Sequence, residues 1–224
     1  MPAERAAVKQ DRAIRTRRAI LEAAAIVFEE HGYEAAKLSE IISRARVTKG
    51  ALYFHFASKE ELALAVISAQ FENAPTYPSR SPKLQELVDY GMTLAYRLVH
   101  DPLLRGSVRL TLDRGGWRLN RSGPYLGWSD LVTRLLREAR GQGELLPHVV
   151  PEDTAAIFVG AYTGVNMMSQ SVGSFDRLEQ QVSSLYRHLM PGIAVPGVLA
   201  VLDMAPGRGA CVMAEVERTA AEAE

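Results

Sequence analysis

The chain has a single cysteine in 224 residues, Cys211. No disulfide can form within it, and a reducing compartment is the expectation. It has no run of about 18 apolar residues, the length a bilayer-spanning helix needs. Its two most apolar stretches, 155–168 and 191–202, are interrupted by Gly, Asn or Pro. The opening MPAERAAVKQDRAIRTRR holds no apolar core of signal-peptide type. These absences predict a cytoplasmic protein with no membrane partner. Formal net charge is zero, so the chain as a whole is no polyanion binder by charge alone. Alternating apolar and polar runs of strand length are missing, which leaves β architectures without support. Also missing are G-x-S-x-G, H-E-x-x-H, a Cys/His cluster and a glycine-rich phosphate loop. The five histidines, His31, His55, His100, His148 and His188, are scattered. His148 with Glu152 and Asp153 reads as a loop-to-helix cap. The expectation is a chain that is not an enzyme, with no catalytic residue, no metal ligand and no cofactor.

What is present is helical spacing almost throughout, so the fold class expected is all-α. In RAIRTRRAILEAAAIVFEEHGY, residues Ile14, Ile20 or Leu21, Ala24, Val27 and Phe28 form one stripe, and Gly32 reads as the stop. LSEIISRA reads as a short second helix with Leu38, Ile41 and Ile42 inward. KGALYFHF reads as a third, with Thr48 as its N-cap. SKEELALAVISAQ follows, with Ser58 and Glu61 at capping-box spacing. ENAPTYPSRSPK carries three prolines and two serines, a linker. Beyond it longer helices are expected near 83–100, 102–114, 124–141, 152–171 and 175–190, with 115–123 as a loop. The division expected is residues 1–72 (helix-turn-helix about 38–56), residues 73–205, and a polar tail over 206–224.

Two short helices joined by a tight connector fit a helix-turn-helix, whose second helix presents its N-terminal end to the DNA major groove. Free N–H groups and a positive dipole end make that N-terminus a phosphate site. Thr48 and Lys49 stand there. Gly50 has no side chain, which permits close approach of a base edge or backbone. Tyr53 lies one turn on and carries a hydroxyl for phosphate. His55 and Lys59 reach toward the flanking backbone, while Leu52 and Phe56 turn inward. Four consecutive rings, Tyr53 to Phe56, cannot all be buried by one helix face. Residues 1–18 add six basic side chains against two acidic ones, a solvated tail or a nucleic-acid arm.

VTKGALYFHFASKEEL, following AAIVFEEHGYEAAKLSEII, resembles the DNA-binding domain of the TetR family of repressors. The resemblance implies that Thr48, Lys49, Gly50, Tyr53, His55 and Lys59 lie at DNA-contacting positions on double-stranded operator DNA. Two departures stand out. The family's turn has Gly where this chain has Arg46, which implies either strain on the order of 1 kcal/mol if φ is positive or an added phosphate contact. The family favours Thr where this chain has Lys37 before Leu38, so a cap is lost, Ser39 is the substitute, and Lys37 adds charge facing DNA.

KQDRAIRTRRAILEAAA, GPYLGW, GELLPHVV and IAVPGVLAVLD are similar to the γ-butyrolactone receptor subgroup of actinomycetes. That resemblance implies a homodimeric, nucleoid-associated repressor of antibiotic and autoregulator genes, released from a pseudo-palindromic operator by a small diffusible lactone or butenolide. The alternative within the same fold is a pseudo-receptor answering to an antibiotic, a biosynthetic intermediate or a butenolide or furan signal. A switching helical domain needs a mostly apolar pocket with a few polar anchors. Trp128, plain core by its spacing alone, matches the subgroup's pocket tryptophan. Thr163 aligns with a ligand-contacting polar position, Met167 is an adaptable filler, and Gln70 is either a solvated helix end or a ligand contact. The glycines in FVGAYTGVNMMSQ imply close approach of another helix or a ligand, and helices 152–171 and 175–190 are expected to form the dimer.

Overall fold

The computed structural model describes residues 2–72, 75–112 and 122–222, with side chains described from residue 10 onward except at 70–72 and 122. The described residues are helical apart from turns and one isolated antiparallel bridge, Leu145 to Ala194. They fall into two compact units, residues 1–74 with 101–121, and residues 75–100 with 122–224.

The first unit contains α1 (Pro2–Ala35), α2 (Leu38–Ala45), α3 (Lys49–His55), α4 (Lys59–Glu72) and α6 (Pro102–Leu112). Ile20, Leu21, Ala24, Val27 and Phe28 of α1 pack on Ile41, Leu52, Phe56, Leu62, Val66 and Leu110, all buried. Full burial of each large side chain contributes about 1.5–3 kcal/mol, so this cluster holds the short helices α2 and α3 in place. Ile14 is 58% exposed and not part of the stripe; the buried positions of α1 begin at Ile20. Gly32 (φ 72°, ψ 174°) is non-helical and stops the long first stretch of α1, as expected, and one more turn follows across the kink to Ala35. Gly106 of α6 lies against the backbone of Ala25, a crossing that has no room for a Cβ. Ser107 Oγ donates to Ile67 O (2.9 Å), and Arg105 pairs with Glu29 (2.9 Å). Asp101 caps α6 by accepting from the N–H groups of Leu103 (2.9 Å) and Leu104 (3.2 Å).

The second unit is built around α5 (Lys83–His100), against which α7 (Ser122–Gly141), α9 (Leu178–Leu189) and α11 (Arg208–Glu222) pack; α8 (Pro151–Ser171) packs on α7 and α9, and α10 (Pro196–Leu199) is short. Buried Glu144 caps α5 through the N–H groups of Lys83 (2.7 Å) and Leu84 (2.9 Å). Two tyrosines fasten onto α5 carbonyls: Tyr162 donates to Gly91 O (3.0 Å) and Tyr186 to Leu87 O (3.3 Å). Gly91 is required there, since a Cβ would strike the Tyr186 ring. Burial pushes both hydroxyls above the ordinary tyrosine value, which keeps them as donors.

The segment expected as a polar tail is instead helix α11, seated on α5 through buried Gly209 and Val212. Gly209 and Val212 are buried and Met213 and Val216 half-buried along it, a helical spacing that Ala, Glu and Arg dilute in the sequence. The helix expected from 124 begins at Ser122, and the expected loop 115–123 falls mostly outside the described residues. No described helix is long and apolar enough to cross a membrane.

Candidate nucleic-acid interface

α2 and α3 meet through a three-residue connector, Arg46–Val47–Thr48. Arg46 adopts the left-handed conformation (φ 54°, ψ 41°) and closes α2, its N–H donating to Ser43 O (3.2 Å). A non-glycine residue therefore stands where the turn needs positive φ. Thr48 caps α3 by accepting from Ala51 N–H (3.1 Å). Ser58 accepts from Glu61 N–H (3.0 Å), the half of the capping box its spacing predicts, while the Glu61 carboxylate reaches one residue past the cap, to Ala57 N–H (2.7 Å). Ser39 makes no such cap on α2: the N-cap is Lys37, without a side-chain hydrogen bond.

Leu52 and Phe56 enter the core, and this fixes which way α3 faces. Thr48, Lys49, Gly50 and Tyr53 are exposed on its outer side, and Arg46 and Lys37 are exposed beside it. The Lys49 ammonium lies 5.9 Å from the centre of the Tyr53 ring. Around Gly50 an added Cβ would meet only Thr48 Oγ1, at 4.0 Å. Nothing inside the protein asks for glycine there, and helix propensity disfavours it by about 1 kcal/mol against Ala. No contact among the described residues accounts for Gly50.

Two candidates sit less openly. His55 is half-buried, edge-on to Phe54 with ring centres 5.1 Å apart. Lys59 is half-buried too, its ammonium donating to Glu34 O (3.2 Å) and lying 4.8 Å from the Tyr33 ring centre. Burial lowers its pKa, against a smaller opposing pull from Glu34. Lys59 thus fastens α4 to the end of α1. The spacing singled out Tyr53 and His55, yet the most outward ring is Phe54, 80% exposed. The only sequence signal for it is the run of four rings. Nearby, Glu30, His31 and Glu40 bring three ligand-type atoms together, but Arg44 takes both Glu30 oxygens (3.0 Å each) and His31 pairs with Glu40 (3.2 Å), so the cluster ties α2 to α1.

In the second unit Trp128 on α7 and Thr163 on α8 are half-buried, and their two helices pack together. Met167 is exposed on α8. Gln70 lies on α4 in the first unit, and its side chain is outside the described residues.

A short helix closed by a tight left-handed turn, and a second helix capped by Thr48 with a basic outer face, define a helix-turn-helix DNA-binding protein. Residues 20–66 match the family model of bacterial regulatory proteins of the tetR family, and residues 81–196 match the tetracyclin repressor-like C-terminal domain. The chain is 42% identical over 192 residues to the A-factor receptor protein of Streptomyces griseus, covering 86% of this chain and 68% of that protein. It superimposes with a TM-score of 0.84 at 43% identity on TylP, a TetR regulator from Streptomyces fradiae, covering 92% of this chain and 99% of that one. A γ-butyrolactone receptor described as ArpA-like superimposes with a TM-score of 0.68 at 28% identity, covering 93% and 99%. The chain belongs to the TetR family, whose members are DNA-binding regulators rather than enzymes.

Proposed function

We propose that this chain is a dimeric repressor of antibiotic and secondary-metabolite genes, held on a pseudo-palindromic operator by α3 and released by a γ-butyrolactone-type signal. The observation that carries this reading is the likeness to the A-factor receptor protein, which spans 86% of the chain and so extends through both units. In this reading Thr48, Lys49 and Tyr53 hold phosphates, with Arg46 and Lys37 at the flanks, and Gly50 lets the duplex approach. Phosphate contacts position the domain and carry most of the salt-dependent affinity. His55 and Lys59 act from the edge of this face. Lys59 does so while fastening α4 to α1.

Trp128 stacks on the flat ring of the signal, and Thr163 offers a hydroxyl to its carbonyl. Met167 and Gln70 complete the set of ligand residues. Release follows from linkage: a ligand that binds the DNA-incompetent conformation better draws the population away from the operator by its difference in affinity. The test is a gel shift on DNA from the gene's own upstream region, with lactones, butenolides and host antibiotics as competitors. Release by nanomolar-to-micromolar lactone from wild type, and blunted release from Trp128→Ala with DNA binding intact, is expected. Release by an antibiotic alone would make the chain a pseudo-receptor. No shift at low salt with any fragment would refute the repressor reading.

A further inference from the structure

We propose that Phe54 is a specificity-determining residue, reading a thymine through its C5-methyl group in the major groove. The proposal rests on the repressor reading above, and concerns a residue that reading does not use.

A phenyl ring 80% exposed on a folded protein is stranded from the core that its neighbours Leu52 and Phe56 enter. Side chains on a helix lean toward its N-terminus, over the turn before them. The Phe54 ring therefore leans toward Gly50, four residues back on the same face, where there is no side chain to cover it. The pair makes an apolar strip beside the polar strip of Lys49 and Tyr53, which are likewise four apart. The edge-on contact with half-buried His55 limits where the ring can swing.

A phenyl group has neither donor nor acceptor. It cannot read the hydrogen-bonding pattern of a base edge, and it gains nothing from a phosphate. The one apolar feature on a major-groove base edge is the thymine methyl. Burying the ring against it removes both from water. Each methyl so covered is worth about fourfold in affinity, and two symmetric half-sites together about fifteenfold.

The experiment begins with the full-length protein selecting its operator from random duplexes. Each thymine of the selected site is then replaced by deoxyuridine, which keeps base pairing and removes only the methyl. Wild type should lose about fourfold at one position per half-site. Phe54→Ala should bind the thymine operator as weakly as wild type binds the uracil one, and should show no further loss with uracil. Its melting temperature and salt slope should match wild type, because the ring is outside the core and touches no phosphate. Two results would overturn the proposal. One is wild type indifferent to uracil at every position; the other is Phe54→Ala still as sensitive to it, with equal loss on both duplexes, as a wedge between base steps or a sugar contact would give. Selection of no duplex at all would bring down the repressor reading, and a bound operator without a uracil effect would bring down only this one.

Discussion

Arg46 holds a conformation (φ 54°, ψ 41°) in which a side chain costs about 1 kcal/mol and glycine costs nothing. Its guanidinium is exposed, so the strain is not offset by burial within the chain. If a phosphate takes that guanidinium, Arg46→Gly separates two effects of opposite sign. Thermal stability should rise, by about 1 kcal/mol at most, while operator affinity falls and the slope of log affinity against log salt drops by about one unit. Stabilisation with unchanged salt slope would leave Arg46 as strain without a DNA role. The positive φ was suggested by the resemblance alone, because the family's turn has glycine where this chain has Arg46; the residues themselves left it conditional. The caps of Thr48, Ser58 and Glu61 were legible because donor and acceptor lie three or four positions apart. Phe54 was not. With Leu52 and Phe56 turned inward, Tyr53, Phe54 and His55 all remain candidates to face out, and only the packing makes His55 half-buried and Phe54 80% exposed. The tie that Lys59 makes to α1 was not legible either, since its partners there, Glu34 and Tyr33, are 25 and more residues away.

At the scale of elements, the long helices and the linker followed from apolar periodicity and proline content, and α11 did not. Its attachment is a charge network spread over the second unit. Buried Asp89 of α5 accepts from Arg80 Nε (2.9 Å), Arg208 Nε (2.8 Å) and Gln85 Nε2 (2.7 Å), and Arg80 turns its other end to Glu215 of α11. Residues 118 or more apart in sequence meet here, which no local pattern can show. Removing the central charge leaves two guanidiniums facing each other in a poorly solvated place, and Asp89→Ala should cost about 3–5 kcal/mol. Glu215 is a different case, a third exposed and so screened by water. Its hydrogen bond to Arg80 holds the carboxyl below its ordinary value of 4.5. A depressed carboxyl contributes stability that is complete above that ordinary value and is lost as pH falls through the folded one. Glu215→Gln should therefore melt slightly below wild type at neutral pH, and the gap should close under acid, below about pH 4.5. A gap that stays constant into acid would show that packing of α11, not the ion pair, sets the difference.

For the molecule as a whole, the reading of a two-fold dimer on a two-fold operator turns on the outer face of α8. Ile157 is 59% exposed and Met168 is 68% exposed, with Val172 beyond them on the same side. Gly160 and Gly164 lie between, and an added Cβ at either would meet nothing within 4 Å among the described residues. Two glycines in a helix interior cost about 2 kcal/mol against alanine, and no internal contact accounts for them. The proposed dimer would use the room they leave. A helix of a second copy fits, because small residues let two backbones approach and the flanking Ile157 and Met168 then bury against their symmetry mates. In a two-fold contact every change is felt twice. Gly164→Leu makes the argument testable, since it improves the helix locally while filling the gap. Sedimentation should show a folded, fully helical chain, no less stable as a monomer, whose dimer dissociates at concentrations where wild type does not. Binding to the full operator should weaken steeply with dilution, while the much weaker binding to a single half-site stays as it was. A Gly164→Leu protein that remains dimeric to the same dilution would move the interface away from this face of α8.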